Sequence, residues 1–178
     1  MNFNELAQRY GKVEVLKKKS YIFSQGEENQ YIYIILEGVL KAYYLSAEGK
    51  ECIKSFLFPG DTIGSLQALH GGGCNFSLLC LKKVKILKVP YKKVLSEAKT
   101  NIEVANSVID ILMLFAKKKE EREYELLCLS AAQRYQKLLE KKPDIYDVVT
   151  QNDIARYLGI TPVALSRIKH QQSPSNTK

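Results

Sequence analysis

The chain has 178 residues, 46% apolar and 26% charged, the balance of a folded protein with a real core. No apolar run approaches the roughly 18 residues of a membrane helix, and the opening MNFNELAQRYGK has neither the basic nor the apolar region of a secretory leader. A cytoplasmic protein without a membrane partner is therefore expected, and the net charge of +8 points to a polyanionic partner.

Residues 13 to about 90 read as β-structure. Apolar and β-branched runs recur at Tyr21-Ile22-Phe23, Tyr31 to Leu36, Val39 to Leu45, Ile53 to Phe58, Ser77 to Leu81 and Val84 to Val89. Turn signals separate them, among them Gln25-Gly26-Glu27, Glu37-Gly38, Pro59-Gly60-Asp61 and Gly71-Gly72-Gly73. Many short strands divided by glycine-containing turns predict a sandwich or barrel. The cysteines Cys52, Cys74, Cys80 and Cys128 include no C-x-x-C pair, so they read as reduced thiols. His70 and Cys74 flank the glycine trio, but two candidate ligands on a loop do not make a metal site. No metal and no cofactor are expected.

The character changes near Pro90. From about Thr100 to Leu127 there is no Gly or Pro, and apolar residues return every three or four positions. Ile102, Ala105, Ile109, Leu112 and Ala116 form one stripe, with Val104, Val108, Ile111 and Phe115 beside it. The spacing predicts a long helix, apolar over a broad face and charged after Lys117. A face that broad needs two partners, for example the β-domain on one side and the same helix of a second chain on the other; the alternative is a helix buried within one domain. Ile102, Ala105, Ile109, Leu112, Phe115 and Ala116 are the predicted dimer-helix residues.

Ser130 to Lys142 reads as a further helix, stopped by Pro143. The stretch TQNDIARYLGITPVALSRIKH (150–170) then spells two short helices about a tight turn. Thr150 and Asp153 form a capping box, Ala155 allows close helix crossing, and Gly159 suits the left-handed end of the first helix. Ile160 plugs the gap between the helices, and Thr161-Pro162 is a second start signal, because proline at the first helical position loses no needed hydrogen bond. Leu165 and Ile168 supply the inner face. The motif is a helix-turn-helix.

Val163, Ser166, Arg167 and His170 fall on the opposite face of the second helix, the one that would enter a major groove. Arg167 can fork onto guanine O6 and N7, Val163 can pack on a thymine methyl, and Ser166 can bond a base edge or a phosphate. Thr150, Gln151 and Thr161, at helix starts, are placed for phosphates. Pro162 and the basic Lys169 complete the predicted DNA-contacting set. Residues 150–178 carry one acid, Asp153, against Arg156, Arg167, Lys169 and Lys178, whereas Lys17-Lys18-Lys19 and Lys82-Lys83 read as solvated faces. The last eight residues, QQSPSNTK, read as a polar, disordered tail.

In this order (Gly26-Glu27 before YIYIILEGVLKAYY, FPGDTIG at 58–64, CLKKVKILKVPYKKV at 80–94, then the helix-turn-helix), the chain resembles the cyclic-AMP receptor protein / fumarate-nitrate regulator (Crp/Fnr) family of transcription regulators over roughly residues 10 to 170. The resemblance implies an α+β fold: an N-terminal β-roll sensory domain of cyclic-nucleotide-binding type (1–99), a dimerisation helix (100–127) and a DNA-binding domain (128–178). It implies double-stranded DNA and a second copy of the chain as partners, with RNA polymerase a candidate third.

Three departures from the family pattern qualify this. Nucleotide-binding members follow Gly-Asp-x-x-Gly with a Glu for the ribose, and later carry Arg-Ser or Arg-Thr for the cyclic phosphate. Here Gly64 is followed by Ser65, the Arg-Ser position falls near Cys74-Asn75, and no arginine occurs between Arg9 and Arg122. Gly64, Ser65, Cys74 and Asn75 mark the candidate effector pocket, but a guanidinium clamp for cyclic AMP cannot come from this β-domain. The effector is a small molecule of unknown identity, or none. The oxygen-sensing branch carries N-terminal cysteines, whereas this chain has none before Cys52, so no iron–sulfur cluster is expected. Finally, too few residues follow His170 for the usual β-hairpin wing, which is expected to be short or missing.

The leading reading is a dimeric, sequence-specific transcription regulator. The alternative is a sensory or protein-interaction module with a degenerate cyclic-nucleotide-binding domain and a vestigial DNA-binding end. An enzyme is not expected, because no catalytic triad, phosphate loop or paired-carboxylate motif is spelled.

Overall fold

The fold, taken from a computed structural model, is described for residues 1–172. Its β-domain begins with α1 (Phe3–Tyr10) and continues through β1 (Lys12–Leu16), β2 (Tyr21–Phe23), β3 (Tyr31–Glu37), β4 (Leu40–Leu45), β5 (Glu51–Leu57), β6 (Thr62–Ile63), the single-turn α2 (Leu66–Leu69), β7 (Ser77–Cys80) and β8 (Val84–Pro90). The strands pair antiparallel in two four-stranded sheets, ordered β1-β8-β3-β6 and β2-β7-β4-β5. Period-two alternation sends Tyr33 and Ile35 of β3 inward, against Leu40, Leu78 and Ile86 from the other strands and sheet. One close approach fixes a glycine: a Cβ at Gly73 would sit 2.6 Å from the Gly26 carbonyl oxygen, where the turn before β3 is pinned by Gly26 N–H donating to Cys74 O at 2.7 Å.

The predicted strand runs are present, and β1 and the two-residue β6 join them. Of the helices around the sheets, only the long one beginning at Ile102 was predicted. In α1, Asn2 and Glu5 satisfy each other's orphan N–H groups in a capping box, and Phe3, Leu6 and Ala7 turn inward. With Val94 of α3 (Tyr91–Ala98) and Val104 of α4 (Ile102–Cys128), they cover Leu87 and Val89 on the outer face of the first sheet.

Helix α4 runs for 27 residues, with Asn101 capping its start. Its two apolar stripes part company. Val104, Val108 and Ile111 pack onto the β-domain. Ile109 and Leu112 of the other stripe are 55% and 46% exposed, and Ile102 and Ala116 are also exposed. Ala105 and Phe115 lie between, half-buried.

The C-terminal part comprises α5 (Ala131–Lys141), a 3-10 turn (Ile145–Asp147), α6 (Gln151–Leu158) and α7 (Pro162–Gln172). Its core, built on Tyr135, Ile145, Ile154, Leu158 and Leu165, also takes in Phe56, Phe58 and Leu81 from the β-domain. Gln171 and Gln172, predicted as disordered tail, instead continue α7, whose i to i−4 bonding nothing there interrupts. The rest of the predicted tail, and any wing, lies outside the described residues. Among those residues, no helix is long and apolar enough to cross a membrane, and no group of three His, Cys, Asp or Glu could hold a metal ion.

Candidate nucleic-acid interface

The two helices at 150–172 are each started and stopped by the residues that spell them. The Thr150 hydroxyl oxygen accepts the Asp153 N–H at 3.1 Å. Gly159 sits at φ 70°, ψ 29°, the left-handed conformation that closes α6. A Cβ there would meet nothing within 4 Å, so backbone conformation alone makes the position a glycine. Thr161 then accepts the Ala164 N–H at 3.2 Å as Pro162 opens α7. Ala155, Leu158 and Leu165 are fully buried at the crossing.

Half of the predicted capping box is not formed. The Asp153 carboxylate does not reach back to the Thr150 N–H. One oxygen accepts the Thr150 hydroxyl at 3.0 Å, and the other accepts the ammonium of Lys41, on β4, also at 3.0 Å. A buried cation from another part of the chain outbids a local N–H, because a charge-assisted bond away from water is the stronger of the two.

On the outward side of α7, Val163 is 62% exposed, Arg167 and His170 are exposed, and Ser166 is half-buried. Thr161 and Pro162 are exposed at its start, as is Thr150 at the start of α6, with Gln151 half-buried. Arg167 makes no ion pair or hydrogen bond among the described residues, leaving its planar fork free. Lys169 lies off this face, half-buried, with its ammonium 4.5 Å from the centre of the Tyr146 ring.

This unit is docked on the β-domain by residues that the sequence did not single out. Lys41, 5% exposed, bridges Asp153 and Glu51 of β5, and Glu51 also accepts Arg156 of α6 at 2.7 Å. The Phe56 and Tyr157 rings pack with centres 5.4 Å apart. Arg122 of α4 lies 3.9 Å over Tyr157 and donates to its carbonyl oxygen. Glu125, nearly buried on α4, pairs with Lys141 at 3.1 Å and Lys137 at 3.4 Å, fixing α5 to the end of α4. Burial pushes its carboxyl pKa up, but the lysines outweigh that and hold it below the ordinary glutamate value. One signal was available: Lys41 interrupts the apolar run VLKAYYL.

The four effector-pocket candidates meet at the start of α2. Ser65 accepts the Asn75 N–H at 3.4 Å and bonds the Asn75 side chain at 3.3 Å. Cys74 is buried beside them, which raises its thiol pKa, and Gly64 lies against Leu69 and the Tyr31 carbonyl. Ser65 and Cys74 are 1% and 2% exposed, so this cluster spends its polar atoms on itself. Nearby, Lys54 of β5 places its ammonium 4.9 Å from the Phe76 ring centre, and burial, with the charge of Lys119 on α4, lowers its pKa.

The sequence profile described as "Cyclic nucleotide-binding domain" matches residues 13–101. The chain belongs to the cyclic nucleotide-binding domain family. Its likeness to named proteins extends through the helices that follow. This cyclic nucleotide-binding domain protein is 24% identical to "Regulatory protein HlyX" of Actinobacillus pleuropneumoniae over 86% of its own length and 68% of that protein. It is also 24% identical to the "Fumarate and nitrate reduction regulatory protein" of Salmonella typhi, over 86% of this chain and 65% of the other. The chain thus spans about two thirds of the length of the curated relatives it matches. Among solved structures, FixK2 from Bradyrhizobium japonicum superposes with a TM-score of 0.79 at 20% identity, covering 90% of this chain and 83% of that one. The relatives are Crp/Fnr regulators, in keeping with the resemblance seen in the sequence.

Proposed function

We propose that the chain is a homodimeric, sequence-specific DNA-binding transcription regulator without catalytic activity. Residues 1–99 form its sensory domain, 100–127 its dimerisation helix and 128–178 its DNA-binding domain. The observation that carries the reading is the outward face of α7, where Val163, Ser166 and His170 flank an arginine with no partner among the described residues. Thr150, Gln151 and Thr161 supply phosphate contacts from the helix starts, Pro162 sets the angle of entry, and Lys169 adds charge at the edge. The names of the relatives support the same reading.

The exposed stripe of α4 supports the dimer: Ile102, Ile109 and Leu112 of one copy would meet those of another, with Ala105, Phe115 and Ala116 filling between. RNA polymerase is a further partner. The sensory domain does not take cyclic AMP in the usual way, because it holds no arginine after Arg9. Selection of bound sequences from random DNA tests the function. The expected product is an inverted repeat with half-sites about 34 Å apart, and the Arg167→Ala variant is expected to lose preference at one base pair of each half-site. Recovery of no shared sequence would overturn the proposal.

A further inference from the structure

Helix α6, the first of the helix-turn-helix, is gripped at both ends by charged groups from other parts of the chain. At its start, Lys41 of β4 donates to Asp153 at 3.0 Å and to Glu51 of β5 at 2.8 Å. Glu51 also accepts Arg156, three residues further along α6, at 2.7 Å. At its end, the Gly159 and Ile160 N–H groups turn back to the carbonyls of Ala155 and Arg156. The last two carbonyls go to arginines instead. Arg134 of α5 donates to Leu158 O at 2.9 Å, and Arg122 of α4 donates to Tyr157 O. Cations at this end also face the negative pole of the helix.

Apolar contacts would hold α6 on the sheet without fixing where it sits. Phe56, Phe58 and Leu81 pack beneath it, and burial of such groups is non-directional. Charge-assisted hydrogen bonds away from water do have direction. Lys41 and Asp153 are 5% and 7% exposed, so each has given up most of its hydration. A buried ion pair contributes little stability beyond what apolar groups of the same size would give, and its best-attested use is to select one register.

The anchors come from the two parts of the chain that matter for placement. Lys41 and Glu51 belong to the β-domain, and Arg122 belongs to α4, whose exposed stripe supports the dimer. Helix α7 follows α6 rigidly, because Ala155, Leu158 and Leu165 are fully buried at their crossing. Whatever orients α6 therefore orients the outward face of α7.

We propose that Lys41, Glu51, Asp153, Arg156 and Arg122 are positioning residues that set the spacing between the two DNA half-sites without touching a base. They do so by fixing the angle of α7 to the helix that joins the two copies. The inference rests on the DNA-binding and dimer readings above.

The test varies the spacing. Full-length wild type, Lys41→Met with Asp153→Asn, and Glu51→Gln are titrated with duplexes carrying two copies of the selected half-site. These lie at the selected spacing, or one base pair closer or further apart, each step moving a half-site by ~3.4 Å and turning it by ~35° about the duplex. A duplex with one half-site and a scrambled duplex complete the set. The double change keeps the net charge, so general attraction to DNA is unaltered.

Wild type is expected to bind the selected spacing about 10-fold more tightly than its neighbours, the loss of one base pair's contacts, and the double variant only about 2-fold. Affinity of the double variant for one half-site should equal that of wild type. Glu51→Gln leaves the Lys41–Asp153 pair in place and should lie between the two. A purely structural role would weaken binding to every duplex by the same factor, and that result would overturn the proposal. So would an unchanged spacing preference in the double variant, or in Glu51→Gln should the double variant fail to melt as a folded protein. Wild type that binds one half-site as tightly as two would remove the dimer reading and this inference with it. Wild type that does not prefer the half-site to the scrambled duplex would remove the DNA-binding reading itself.

Discussion

Lys41 on β4 and Asp153 on α6 stand 112 residues apart in the sequence, yet their side chains meet at 3.0 Å with both residues under 9% exposed. The pair ties the first helix of the helix-turn-helix to the sheet beneath it. Removing Lys41 leaves the buried Asp153 only Arg156 at 3.9 Å, whereas removing Asp153 leaves Lys41 its pair with Glu51 at 2.8 Å. Lys41→Met is expected to cost about 2–4 kcal/mol, less than the largest buried-pair losses because Arg156 can approach Asp153 from its present 3.9 Å. Lys41→Met with Asp153→Asn should lose less than the sum of the single changes, by about 1–3 kcal/mol. Urea unfolding of the four proteins in the cycle measures the coupling, and strict additivity would mean that the pair adds nothing.

Arg167→Ala should weaken binding to the selected site by about 1–3 kcal/mol while leaving the melting temperature unchanged, since the side chain has no partner among the described residues. Fluorescence anisotropy and a thermal melt of the same preparation give both numbers. A fall in both would make Arg167 a structural residue.

Leu112, exposed on the outer stripe of α4, should be needed for assembly but not for folding. Leu112→Glu places like charges face to face in the dimer, and sedimentation should show a monomer with an unchanged circular dichroism spectrum. A dimer that survives this change would place its interface elsewhere.

Gly159→Ala asks an alanine to hold φ 70°, with open space around the added methyl group. The expected loss is about 1–2 kcal/mol, all of it from the backbone. Gly159→Asn should recover part of it, because asparagine tolerates this conformation.

Glu125 gives a pH dependence of known sign. Its carboxyl is held below its unfolded value, so its contribution to stability is complete above the unfolded glutamate range and disappears as the pH falls through the folded value. Urea midpoints measured between about pH 3 and 6 should therefore drop more steeply in wild type than in Glu125→Gln. At pH 7 the variant should already be about 1–3 kcal/mol less stable.

The periodic parts of the fold were readable because each repeats one physical demand. Tyr33 and Ile35 alternate into the roll, and the stripes of α4 return every three or four residues. The helix-turn-helix was readable because Thr150, Gly159 and Thr161 act within a few residues of themselves. What escaped falls into two kinds. Short elements lack a period: β6 has two residues, and α1 was passed over although Asn2 and Glu5 spell its cap. Contacts between distant residues leave no local mark, so Asp153 read as a capping acid until Lys41 claimed its carboxylate.

The shared core behind α6 also decides what can be cut from this protein. Phe56, Phe58 and Leu81 of the β-domain fill space beneath Ile145 and Leu158, and Lys41 completes the charge of Asp153. A fragment beginning at Ser130 would therefore bare an apolar underside and leave Asp153 without its lysine, with only Arg156 at 3.9 Å as its counter-charge. Transplanting these helices onto another domain would require that domain to bring its own lysine and aromatic floor.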